Sequence, residues 1–350
     1  MKLNNHQYYS LAPSWGKGAR RAGKGLFILL FIASTLFSCS SDDPDEGKSV
    51  IVTPNEEQTE FDKWLEVNFA TPYNIDFKYR YKETESDYDY YTVPAKYNDA
   101  IKMAHLVKYL CVETYNEVAG TNFTRRYFPK MFFLIGEWEY RNNGTFILGT
   151  AEGGKKILLS GVNYLPQVLA GSYQGYTDVK EGLNHFYIKT IHHEFTHILN
   201  QTKDFPADFT MVTPANYVTD SWNTSEYGSY YRQRGFISSY AQHSDREDFA
   251  EMMSIYVTNS PEKWASLLEE SSREVTESDI SKAEFKSSFP TLAVGDKFPG
   301  ADYIKAKLEI VKTYMLNTFN IKLDDLRDAV LRRQEEVVSG IVDLTSLEIK

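Results

Sequence analysis

The stretch Lys189-Thr190-Ile191-His192-His193-Glu194-Phe195-Thr196-His197-Ile198-Leu199 decides how this chain reads. His193 and His197 are four residues apart, so on a helix their imidazoles leave from one face and can grip a single cation. Ile191, Phe195, Ile198 and Leu199 supply the apolar backing that buries such a helix. Imidazole pairs at this spacing suit Zn2+, and one zinc per chain is expected. Glu194 follows the first imidazole, where its carboxylate can reach a water on the metal without binding the metal itself. A carboxylate so placed takes a proton from that water and passes it to a leaving amine. Four of the seven histidines, His185 and His192 with the pair, fall in the one helix expected over 182–201. His185 and His192 read as supporting or surface residues.

Two histidines leave a tetrahedral catalytic site one protein ligand short. The metzincin extension would need Gly at position 200 and His at 203, and Asn200 and Lys203 stand there instead. Asp204 and Asp208 follow the helix too closely, with no turn residue to bring them back. The better source is Glu247-Asp248-Phe249-Ala250-Glu251, fifty residues beyond His197. Glu247 and Glu251 share a helix face, while Phe249, Met252 and Ile255 build the buried side. One carboxylate can ligate the metal while the other takes the outer N–H of a ligating histidine. Ser244-Asp245-Arg246-Glu247 is also a capping box, in which Glu247 would only close its own helix. In that case the third ligand must come from Asp220, Glu226 or His243.

A His-Glu-x-x-His helix followed by a Glu-x-x-x-Glu helix is similar to the gluzincins. Gly235-Phe236-Ile237-Ser238-Ser239-Tyr240-Ala241, followed by the acidic helix, resembles the anthrax lethal-factor type of metallopeptidase. The mature chain as a whole resembles the zinc-binding metallopeptidase lipoproteins of Bacteroidetes, often encoded beside outer-membrane import systems. The resemblance implies a zincin-like fold with an active-site cleft between two lobes. It implies His193, His197 and Glu247 as zinc ligands, Glu194 as base and Glu251 as their support. Tyr240, seven residues before Glu247, matches a tyrosine that stabilises the oxyanion. The likeness is densest over 190–255 and loosest over 201–234, where substrate preference would be set.

The N-terminus reads as an export segment spanning 1–38. Lys17, Arg20, Arg21 and Lys24 precede an apolar run at 26–37 that is too short to span a bilayer. Leu36-Phe37-Ser38-Cys39 resembles a lipobox, which would make Cys39 the lipidated first residue of the mature chain. The acidic stretch Ser40-Ser41-Asp42-Asp43-Pro44-Asp45-Glu46 opens a solvated tether over 39–56. It also resembles the signal that sends such lipoproteins to the outer face of the outer membrane. An outer-membrane, surface-exposed lipoprotein is therefore expected, with an import channel as a candidate partner. Cys111 then has no intramolecular partner, so no disulfide framework exists. It lies in an apolar periodic stretch and reads as core.

From 57 to 350 there is no repeat and no long linker, which points to a single two-lobed domain. Helical patterning appears at 58–69, 96–119, 182–201, 245–258, 301–318 and 322–338. Strands are expected at 77–81, 131–135, 145–148 and 156–160, with Asn142-Asn143-Gly144 as a hairpin turn. Between 201 and 240 the composition suits long loops with short helices. The class is α+β, with a small twisted sheet and helices in the first lobe and a mostly helical second lobe.

The chain has 350 residues, 42% hydrophobic and 25% charged, as in globular proteins. Its net charge of −10 falls to −15 once residues 1–38, with five cations and no acid, are removed. Such a balance argues against nucleic acid as a partner. The leading expectation is a surface-anchored zinc endopeptidase acting on peptides or proteins. The alternatives are a zinc amidase on a non-peptide bond, or a nutrient-binding lipoprotein using exposed Tyr230, Tyr231 and Trp222. An intact Glu194 favours catalysis, because a pure binder needs no carboxylate beside the metal.

Overall fold

Thr59 and Asp62 exchange side-chain and backbone hydrogen bonds around the start of α1 (Glu60–Leu65), the first helix among the described residues. A computed structural model describes residues 57–85, 90, 92–140, 146–152 and 155–349. The export segment, Cys39, the acidic tether and the turn Asn142-Asn143-Gly144 lie outside these residues.

The helical stretch expected at 96–119 is α2 (Tyr97–Leu106) and α3 (Glu113–Ala119), joined through a π-type segment, Val107–Val112. It buries Ala104, Val107, Leu110 and Cys111. Burial pushes the Cys111 thiol up, away from the reactive thiolate.

Among the described residues there are six short strands: β1 (Asp76–Lys78), β2 (Met131–Leu134), β3 (Glu139–Tyr140), β4 (Phe146–Ile147), β5 (Gly149–Glu152) and β6 (Lys156–Leu159). The main sheet runs β1-β2-β6-β5, with the first three parallel and β5 antiparallel at the edge. Parallel strands are covered on both faces and read as continuous apolar runs. Phe132, Phe133 and Leu134 on β2, and Ile157, Leu158 and Leu159 on β6, are accordingly buried.

Of the strand expected at 145–148, the described residues give Phe146–Ile147, followed by a bend at Leu148. Phe146–Ile147 pairs with Glu139–Tyr140 as a separate ribbon, and the chain then enters the sheet edge at Gly149. A Cβ at Gly149 would stand 2.8 Å from Cγ2 of Thr190, so glycine lets the edge strand lie tight against the histidine helix.

Beyond residue 179 the chain is mostly helical, as the patterning implies. Val179–Leu183 leads through a π-type turn into α4 (Lys189–Thr202), which carries the histidine pair. The other long helices are α5 (Asp245–Thr258), α6 (Gly300–Phe319) and α7 (Leu323–Val338). Helices at Thr121–Tyr127, Leu165–Leu169 and Pro261–Ser271 were not expected from periodicity. The first of these lies between strands, so the order of strands before helices holds only for the second part.

α5 packs along α4 and also against α6 and α7. Being covered on nearly every side, it must pair its buried polar groups internally. Asp248 on α5 and Lys307 on α6 meet at 2.6 Å with both side chains fully buried. Tyr217 donates its hydroxyl to Asp248 at 2.9 Å, and Lys307 donates to the Gly235 carbonyl at 2.9 Å. Gly235 has φ +93°, and a Cβ there would strike Tyr303 at 2.6 Å. The loop before α5 is thereby tied to the two helices beneath it.

Candidate metal centre

The apolar face of α4 fixes the histidines. Phe195 is fully buried, with its ring 4.8 Å from Tyr115 and 4.9 Å from Phe128. Ile191, Ile198 and Leu199 are buried beside it. The opposite side of the helix turns His193 and His197 toward α5.

There Glu247 meets both. Its Oε2 lies 3.0 Å from Nε2 of His193 and 3.2 Å from Nε2 of His197, and the two Nε2 atoms are 3.1 Å apart. Ligands about 2.0–2.1 Å from a tetrahedral zinc stand roughly 3.3 Å from one another. The triangle therefore has nearly the size that a shared zinc requires. Two imidazole nitrogens and one carboxylate oxygen converging this closely could hold a cation among them, which is the fit expected of a metal site. Among the described residues this is the group of histidine and acidic side chains able to hold a metal.

Glu251 stands one turn further along α5, 1% exposed. Its Oε1 is 2.8 Å from Nδ1 of His193, an ion-pair distance, although the N–H direction misses good hydrogen-bond geometry. Lys189 and Ser238 complete its surroundings, donating at 3.0 Å and 2.7 Å. Burial opposes charge on His193, but Glu247 and Glu251 outweigh it and raise its pKa to about 10. Burial likewise opposes charge on Glu251, yet Lys189 and then His193 hold its carboxyl well below the usual range. Glu251→Ala is expected to weaken zinc binding about 10–100-fold without abolishing it. A chelator-competition titration measures this, and unchanged affinity would deny Glu251 that supporting role.

The capping alternative is half realised. Ser244 accepts from the Glu247 amide at 3.3 Å, so the hydroxyl caps α5. The Glu247 carboxylate turns to the imidazoles, and they hold it well below its ordinary pKa against the opposing effect of burial. The reserve candidates do not join the group. His243 and Asp220 form a separate pair at 3.4 Å, and Glu226 is exposed.

Glu194 is half-buried on α4, directly after His193. Tyr240 lies on the short turn Tyr240–Gln242, its ring 6.1 Å from that of His193, 5.1 Å from Trp222 and 5.8 Å from His243. His192 points elsewhere. It is fully buried with Nδ1 3.0 Å from the Tyr115 hydroxyl, and burial lowers its pKa to about 4. His185 packs on Tyr176, with rings 4.7 Å apart. Tyr230, expected on the surface, is instead buried in a small cluster with Val275, Phe285, Phe289 and Phe298, and its hydroxyl donates to Asp279. Its position in an irregular polar stretch hid that packing from sequence. Lys189 was missed too, although it lies one turn before His193 on the same face.

Residues 54–324 match a protein family described as "putative zinc-binding metallo-peptidase". The chain belongs to this family. A solved structure described in the same words, from Bacteroides caccae ATCC 43185, is 32% identical to the chain. That match covers 86% of this chain and 100% of the other, with a TM-score of 0.62. No curated protein is significantly similar to the chain. Membership bears out the metallopeptidase resemblance and the α+β fold. A zinc-binding family also agrees with the donor set, since two imidazoles and a carboxylate are ligands zinc commonly takes.

Proposed function

We propose that the chain is a zinc-dependent endopeptidase that hydrolyses peptide bonds at the His193, His197 and Glu247 centre. The observation that carries this reading is the 3.0–3.2 Å triangle of donor atoms, on a helix that places Glu194 directly after a ligand. Bound zinc would supply a Lewis acid for the scissile carbonyl and lower the pKa of the attacking water. The chain's own residues do the rest. Glu251, beside Nδ1 of His193, sets the tautomer so that Nε2 faces the metal. Glu194 takes the proton of the attacking water on its carboxylate and delivers it to the departing amine nitrogen. Tyr240 donates a hydrogen bond to the substrate carbonyl oxygen as negative charge gathers there.

Digestion of a peptide library by the purified protein tests this. Cleavage should stop with a chelator and return on adding zinc. Peptides left intact by zinc-loaded protein would contradict the proposal.

The anchoring is a separate proposal that rests on the lipobox-like sequence at Cys39. Acyl chains on Cys39 would provide the attachment. Such an anchor would hold the site at the outer face of the outer membrane, where an import channel could take up its products. Cys39→Ala should move the protein from the membrane to the soluble fraction. Persistence on membranes in high salt would argue for another attachment.

A further inference from the structure

A cavity of about 260 Å³ opens beside the metal ligands, lined by His197, Asn200, Gln201, Ser244, Arg246 and Glu247. It lies between the C-terminal half of α4 and the first turn of α5. We propose that it is a subsite for a substrate carboxylate, held by Arg246 with the amide of Asn200 beneath it. This rests on the peptidase reading of the neighbouring centre.

Two independent features point to a ligand. Asn200 follows His197 by three residues and so continues the ligand face of α4. It is 2% exposed, and neither atom of its side-chain amide has a hydrogen-bond partner among the described residues. A buried amide left this way is destabilising unless something fills the space beside it. Arg246 is the second feature. It is exposed and has no ion-pair partner among the described residues.

Its acidic neighbours are already engaged: Asp245 accepts from Thr210, Glu247 faces the histidines and Asp248 pairs with Lys307. A cation in the first turn of a helix works against the helix dipole, so Arg246 is not there to stabilise α5. A guanidinium binds a carboxylate through two parallel hydrogen bonds, and the exposed amide of Gln201 can add a donor, whereas the Asn200 amide lies just below the accessible surface. The cavity is smaller than the roughly 300–1,000 Å³ of clefts that enclose a whole ligand, which suits one residue of a peptide. The carboxylate can come from an acidic side chain next to the scissile bond or from the peptide's C-terminus.

The test uses zinc-loaded Glu194→Gln protein, so that binding is read apart from turnover. Its probes are short peptides carrying Glu or Gln at each position in turn, with free or amidated C-termini. One carboxylate should tighten binding about tenfold over its neutral counterpart. The position of that gain tells side chain from C-terminus. The preference should vanish in Arg246→Ala and reverse toward the neutral counterpart in Arg246→Glu. Binding without charge preference, or a preference that survives Arg246→Ala, overturns the subsite. Charge-selective binding by peptides that the wild-type protein never cleaves supports the subsite and overturns the peptidase reading alone. Absence of both binding and cleavage overturns both.

Discussion

Glu194→Gln should leave the zinc content intact and lower kcat by about 10²–10⁴, with KM nearly unchanged. The substitution keeps the size and polarity of the side chain and removes its ability to accept a proton. Glu194 stands outside the group of donor atoms formed by His193, His197 and Glu247, so metal binding does not depend on it. An interaction that matters only as the proton moves appears in kcat and kcat/KM together. Side-by-side zinc analysis and steady-state kinetics give the answer. Equal loss of metal and activity would make Glu194 a structural residue.

Lys307→Met should be strongly destabilising, by about 3–5 kcal/mol. It would leave Asp248 buried without its cation and the Gly235 carbonyl without its donor. Burial pushes the Asp248 pKa up to about 6 and the Lys307 pKa down, and each partner's charge works against that shift in the other. Asp248→Asn combined with Lys307→Met should recover much of the loss, because the partnerless charge is then gone. Urea unfolding of the two variants separates these outcomes. A loss below about 1 kcal/mol for Lys307→Met would mean that the pair does not anchor the loop to α5.

The parts of this molecule that were legible in sequence are those in which local spacing and chemistry act together. The His193 and His197 pair, the face shared by Glu247 and Glu251, and the extents of α5, α6 and α7 follow from helical periodicity, with the Ser244 cap marking the start of α5. The Ser244 box left the direction of the Glu247 carboxylate open, because a cap and a ligand carry the same residue at the same place. Only the packing of α5 against α4 turns that carboxylate to the imidazoles. Lys307 was invisible for a related reason. A lysine in an amphipathic helix reads as solvated, and its burial depends on Asp248 some sixty residues earlier. The separation of Phe146–Ile147 from Gly149–Glu152 was equally non-local, since the two strands pair with different partners, Glu139–Tyr140 and Lys156–Leu159. Tyr230 misled because a polar, irregular stretch gives no periodicity from which to infer burial.

The most direct test of the metal centre is zinc stoichiometry, measured on the wild-type protein and on Glu247→Ala after equilibration with zinc and removal of the excess. About one zinc per wild-type chain is expected, with little or none retained by Glu247→Ala while helix content stays unchanged. A zinc-free wild-type protein would contradict the account. So would a Glu247→Ala variant that keeps its full complement, since Glu247 would then do no more than cap its own helix.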